Sequence, residues 1–129
     1  MKYIALIALT LLAYCKDETI SGYAEEDVVW QLKTVNDLPF PANATITFPE
    51  AGKIAGQAPC NRYFGEQTAP YPWFQATAIG STKKACPELD AETAYFDALR
   101  AMTLSEAVGE TLILSTDDGQ EMVFKAVTK

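Results

Sequence analysis

One stretch of this chain carries a helical period, and everything around it comes in strand-length pieces. Over residues 86–103, CPELDAETAYFDALRAMT, the apolar residues Leu89, Tyr95, Leu99 and Met102 recur at helical spacing, with Phe96 and Ala98 beside them. Asp90 is the expected N-cap, with Glu92 and Thr93 in the first turn. Before the helix, VVWQLKTV, ATITFPE, AGKIAGQA and FQATAIGST are short runs with β-branched or aromatic residues or an alternating pattern; after it come SEAVG, TLILS and EMVFKAV. Turn-formers separate them: NDLPF and Pro41, the Pro-rich APYPW, and TDDGQ, whose Asp118-Gly119 signals a hairpin. Ile46 and Phe48 alternate against Thr45 and Thr47, with AGKIAGQA as the expected hairpin partner, and Phe74, Ala76 and Ala78 are expected on one face of their strand. About six or seven consecutive strands with a single helix leave no room for βαβ alternation. The expectation is an α+β fold: a small antiparallel, partly open β-barrel with one packed α-helix, curled to reduce its exposed edges. Phe48, Phe74, Ile113 and Phe124 are the candidates for the surface under the helix.

The chain of 129 residues suits one domain, and 49% hydrophobic composition is enough for a core. A formal charge of −7 argues against nucleic acid and against anionic lipid surfaces, both of which would repel it.

The first residues, MKYIALIALTLLAYC, place Lys2 before an apolar run over residues 3–14. That run is too short to span a bilayer, which takes about 20 residues. It has the length of a signal-peptide core, and the chain turns polar and acidic directly after it. Residues 1–14 are therefore expected as a signal peptide, residues 15–27 as a lipidated cysteine and acidic tether, and residues 28–129 as the domain. LLAYC resembles the lipobox of bacterial lipoproteins, in which the cysteine, here Cys15, carries the lipid; Tyr14 stands where a small residue is usual. With Lys16 following the lipid, the resemblance implies an outer-membrane lipoprotein facing the periplasm, if the host is Gram-negative.

Three cysteines are present, and two remain beyond the signal boundary, Cys60 and Cys86. An even pair in an exported chain reads most simply as a disulfide, with two buried thiols or free cysteines as the alternatives. Cys60 lies in GQAPCNRYFG, a stretch too full of turn-formers to read as a core strand. Histidine is absent, which removes Ser-His-Asp and Cys-His catalysis and the usual zinc sites. No cofactor or metal is implied. Asn61 reads as a turn residue bonding nearby backbone, Arg62 as a surface charge, and Gly65 as the supplier of a turn dihedral. Glu88, Asp90, Glu92 and Asp97 read as helix-start and solvated-face acids, with a carboxylate pair for hydrolysis as the alternative. Tyr63, Phe64, Tyr71, Trp73 and Phe74 crowd into twelve positions; most are expected in the core, while Tyr63, Phe64, Tyr71, Trp73 and the helical Tyr95 are candidates for binding.

Taken together, W-x-L at Trp30 and Leu32, then Gly56 with Cys60, Asn61, Arg62, Tyr63 and Gly65, then Ser81, Thr82, Ala85, Cys86 and Pro87 before the acidic Glu92, and a closing T-L-x-L hairpin resemble the META domain family. The pattern resembles in particular the bacterial HslJ-like lipoproteins; Pro59 stands where a Gly usually precedes the cysteine. The resemblance implies a cracked antiparallel barrel with a helix against it, in which the Cys60 and Cys86 segments meet. It also implies an exported, often lipid-anchored protein linked with stress tolerance, and it brings no catalytic residues. The expected partners are the membrane, through the lipid anchor, and an unidentified envelope protein or apolar ligand, with the chain a monomer. A carboxylate-dependent hydrolase of the envelope is the alternative.

Overall fold

Hairpins account for most of the backbone. The computed structural model describes residues 18–24 and 28–127. After a 3-10 turn at Ile20–Gly22, the elements run β1 (Val29–Val35), β2 (Leu38–Pro39), β3 (Thr45–Ile46), β4 (Lys53–Gln57), β5 (Arg62–Glu66), β6 (Thr77–Ser81), α1 (Leu89–Ala101), β7 (Leu104–Val108), β8 (Thr111–Ser115) and β9 (Glu121–Val127). The signal peptide and Cys15 expected from the sequence lie outside the described residues.

The first sheet has the order β2-β1-β9-β8-β7, with β3 sharing the β2 edge of β1; the second has the order β4-β5-β6; all pairs are antiparallel. Two seams join the sheets. At one, Thr47 and Ala55 exchange backbone hydrogen bonds of 2.7 and 3.1 Å, and Gln57 N donates to Thr45 Oγ1 at 3.0 Å. At the other, the segment that leads into β6, itself outside the second sheet's strands, lies along β7: Phe74 N donates to Thr103 O at 2.9 Å and Ser105 N to Pro72 O at 2.7 Å. The result, among the described residues, is a partly open barrel with one helix, as expected, though it has nine strands because β2 and β3, of two residues each, count as separate elements.

Turn chemistry sets the hairpins. Asn36 and Asp37 both take positive φ, 52° and 69°, which two-residue hairpin loops require, so the β1–β2 turn is shorter than NDLPF implied. Gly119, at φ 98°, closes the β8–β9 hairpin where Asp118-Gly119 predicted it. GQAPCNRYFG behaves differently from its composition. The turn is confined to residues 58–61, where Ala58 N donates to Asn61 O at 2.8 Å; Gly56 lies in β4, and RYFGE with Gly65 is strand β5, alternating exposed and buried. β4 therefore pairs along its length with β5, and meets the ATITFPE segment through the single Thr47–Ala55 bridge and the Gln57–Thr45 side-chain hydrogen bond.

The interior is filled by side chains. Trp30 and Leu32 from β1, Ile46 from β3, Phe48 just after it, Leu112 and Leu114 from β8, and Met122 and Phe124 from β9 meet Tyr95, Phe96 and Leu99 of α1. Each large apolar side chain buried this way contributes about 1.5–3 kcal/mol by removal from water. Three expectations fail locally. Ile113 alternates with Leu112 and Leu114 and so faces away from the helix, only partly buried. Ala78, with φ 53°, sits in a bulge between β5 and β6, which throws it outward and ends the alternation begun at Phe74 and Ala76. The helix begins at Leu89 after Glu88, which makes no side-chain cap, so Asp90 lies inside the first turn with Glu92.

Part of the expected tether packs on the domain. Ile20, Ser21 and Ala24 are buried, Tyr71 N donates to Glu18 O at 2.7 Å, and Tyr23 stacks on Tyr71 with ring centroids 4.0 Å apart. Ile20 and Ala24 are apolar residues four apart, joined by the Ala24 N to Ile20 O hydrogen bond of 2.8 Å, which is how an otherwise polar segment finds a place in the core.

Candidate functional site

The tip of the β4–β5 hairpin is tied to the helix by side-chain chemistry. Glu92 points inward from the first turn of α1 and is buried. Its Oε1 accepts the backbone N–H groups of Cys60 and Asn61 at 2.8 and 2.9 Å, and its Oε2 accepts Asn61 Nδ2 at 2.8 Å. Asn61 in turn accepts Thr82 Oγ1 and Lys84 N on Oδ1, at 2.8 and 2.7 Å, and its Nδ2 also donates to Lys84 O at 3.0 Å. The side chain has no unused capacity. Asn61 closes the turn with its carbonyl, which accepts Ala58 N, but its side chain does not bond nearby backbone: its partners lie 21 to 31 positions away. Glu92 likewise is no solvated acid; it is a charge-assisted acceptor for a hairpin tip.

The Cys60–Cys86 disulfide closes the same junction, with Cα atoms 5.8 Å apart across a separation of 26 residues. On the chain-entropy account such a bridge stabilises by about 3–4 kcal/mol.

Behind the tip, Tyr63 and Tyr95 face each other across the core. The Tyr63 hydroxyl donates to Thr45 O at 2.7 Å and lies 2.6 Å from the Tyr95 hydroxyl, which is 3.3 Å from Thr45 O. Burial pushes both phenols above their ordinary range, so both are neutral at any physiological pH. Gly56 makes room for this arrangement: a Cβ there would lie 2.1 Å from Thr45 O and 3.0 Å from Tyr63 Cε1. Gly65 is also a close-approach glycine within β5, where a Cβ would meet Thr77 O at 3.0 Å, and not a turn residue.

The candidate binding aromatics separate by face. Tyr63 and Tyr95 are core residues, and Tyr71 is half-buried, its hydroxyl accepting Ala107 N at 3.2 Å. Phe64 and Trp73 are 62% and 57% exposed. Phe64 stands on the outer face of the second sheet, opposite Ala55 and Gly80, and Trp73 lies beside Leu104 at the second seam. Shallow concavities flank Phe64 on both sides: one of about 450 Å3 lined by Pro49, Ala55 and Ala78, the other of about 480 Å3 lined by Val29, Thr47 and Arg62. Arg62 is exposed. Among the described residues no cluster of three or more His, Cys, Asp or Glu is placed to hold a metal ion, and no helix is long and apolar enough to cross a membrane.

A small, partly open antiparallel barrel whose Cys-Asn-Arg-Tyr hairpin tip is pinned to a single helix defines a class of domain. The chain belongs to the META domain family, whose sequence profile matches residues 24–129. It is similar in fold to a solved NMR structure of a protein from Burkholderia xenovorans, at 24% identity and a TM-score of 0.63, over 81% of this chain and 84% of that one. A second NMR structure is similar at 22% identity and a TM-score of 0.59, over 78% and 89% of the two chains. A crystal structure of a DUF4847 family protein from Bacteroides vulgatus is similar at 18% identity and a TM-score of 0.53, over 67% and 60%. No curated protein matches this chain.

Sequence reasoning had placed Cys60, Asn61, Thr82, Cys86 and Glu92 in one motif, but the connection between Glu92 and Asn61 was missed, as were the roles of Thr45 and Gly56. The acid six residues beyond Cys86 in the family pattern was the available signal.

Proposed function

We propose that this META-domain protein is an HslJ-like, non-enzymatic module of the bacterial cell envelope, anchored through a lipid on Cys15 and serving envelope stress tolerance by binding a partner protein or an apolar ligand on its outer surface. The observation that carries the reading is Phe64: a large aromatic left 62% exposed, between two concavities, on a domain whose interior is already filled by its own side chains. An acyl chain would thus lie against the Phe64 face and not inside the barrel. The disulfide fits export to an oxidising compartment. A carboxylate hydrolase has less to work with: Glu92 is engaged in three hydrogen bonds, and Glu88, Asp90 and Asp97 are exposed.

The test is titration of the labelled protein with lysophosphatidylcholine, followed by amide NMR. Saturable shifts at Thr47, Ala55 and Gly80, lost in Phe64→Ser, are expected. Shifts centred on Leu99 and Met122 would place the ligand inside the barrel and overturn this reading, as would hydrolytic turnover. Intact-mass measurement of membrane extracts tests the anchor separately, through the presence of acyl groups on Cys15.

A further inference from the structure

Among the described residues, curling the two sheets covers every strand edge of useful length but that of β6. β7 pairs with β8, and its other side is held by Trp73, Pro72 and the Tyr71 hydroxyl. β4 is met by Thr45 and Thr47. β2 is two residues long and ends in Pro39. Among the described residues, β6 pairs only with β5. Thr82 N donates to Arg62 O at 3.1 Å. In an antiparallel ladder hydrogen bonding alternates by residue, so Thr82 and Gly80 turn their backbone toward β5, and Ser81 and Ile79 turn theirs outward. The bulge at Ala78 limits this regular edge to residues 79–81.

A groove of about 360 Å3 runs between this edge and α1. Ile79, Phe96 and the 41%-exposed Leu89 make its apolar part. Lys83, Lys84 and Arg100, all exposed, make its rim, with the Arg100 guanidinium 5.8 Å from the Phe96 ring centroid and 3.9 Å from Asp97. Glu92 is the one carboxylate lining the groove, and Cys60 and Asn61 already occupy its oxygens. Three of the ten Lys and Arg residues thus border one groove on a chain of net charge −7.

We propose that this edge and groove dock an extended, acidic segment of a partner protein, which adds as a short strand to β6. Main-chain bonds to Ile79 and Ser81 supply the pairing, the groove takes an apolar side chain, and the cationic rim selects carboxylates and repels basic peptides. A second copy of this acidic chain is disfavoured as occupant, because its own β6 edge carries the same cationic rim. The surface borders the Phe64 face at Gly80 and Thr82 but takes its ligand between the β6 edge and α1, and it does not depend on the lipid anchor.

The probe is a synthetic acetylated, amidated peptide of alternating glutamate and valine, titrated into the full chain with its disulfide intact. Saturable amide shifts are expected at residues 79–84 and on the groove side of α1, with slowed hydrogen exchange of the outward-facing edge amides. Affinity should fall about tenfold in the Lys83→Glu, Lys84→Glu double variant, whose exposed positions leave the fold unchanged, and should also fall at ~0.5 M salt. The same peptide N-methylated at alternate residues should not bind. The proposal is overturned by no saturable shift at millimolar peptide, by equal binding of a lysine-valine peptide, by shifts confined to the Phe64 face, or by self-association through β6.

Discussion

Asn61 Nδ2 and Glu92 Oε2 lie 2.8 Å apart, joining the tip of a hairpin to the first turn of a helix 31 residues later. Glu92 also accepts two backbone N–H groups and is, among the described residues, the sole side-chain acceptor for the hairpin tip. Glu92→Ala leaves those two N–H groups without their acceptor, and should destabilise the domain by about 1–3 kcal/mol for each of them in urea unfolding. Glu92→Gln keeps one acceptor oxygen and should cost less. Equal stabilities of wild type and Glu92→Ala would show that the contact contributes nothing.

Reduction of Cys60–Cys86 should lower stability by about 3–4 kcal/mol without dissolving the junction, since the Glu92 bonds hold the same ends together. Cys60→Ala with Cys86→Ala is expected to keep a folded amide spectrum. Adding Glu92→Ala to that pair should cost more than the sum of the separate changes, measured by a mutant cycle.

Gly56→Ala drives a methyl into Thr45 O, which Tyr63 and Tyr95 both approach. The loss should reach or exceed the ~1–3 kcal/mol of ordinary overpacking, because the obstructing atom is backbone. At Gly109 a Cβ meets nothing within 4 Å, so Gly109→Ala should show only the smaller strain of its φ of 58°. Thermal unfolding of the two variants side by side decides this.

Tyr63 and Tyr95 should make stability fall in alkali. Their folded-state pKa values are raised, so the folded chain keeps protons that the unfolded chain releases. The contribution is fully present below pH ~10, the unfolded value, and declines as pH rises from there toward the folded-state values. Urea midpoints should drop above that pH, and less steeply in Tyr63→Phe. If absorbance shows all six tyrosines ionising together near pH ~10 with the fold intact, the buried pair is wrongly described.

What the sequence determined by itself is what local physics writes: the apolar period of α1, the strand-forming runs of β1, β8 and β9, the positive-φ turn at Asp118-Gly119, and the choice of one helix among antiparallel strands. Those signals lie within a turn or a hairpin of the residues they govern. Only the tertiary structure decided that RYFGE is a strand, that Tyr63 and Tyr95 point inward while Phe64 points out, and that β6 keeps an open edge. Above all, it decided that Glu92 is buried beneath a hairpin tip. A carboxylate in the first turn of a helix looks the same in sequence whether it faces water or an amide 31 residues earlier, because the desolvation and hydrogen bonding that separate the two cases exist only once the chain has brought the partner to it.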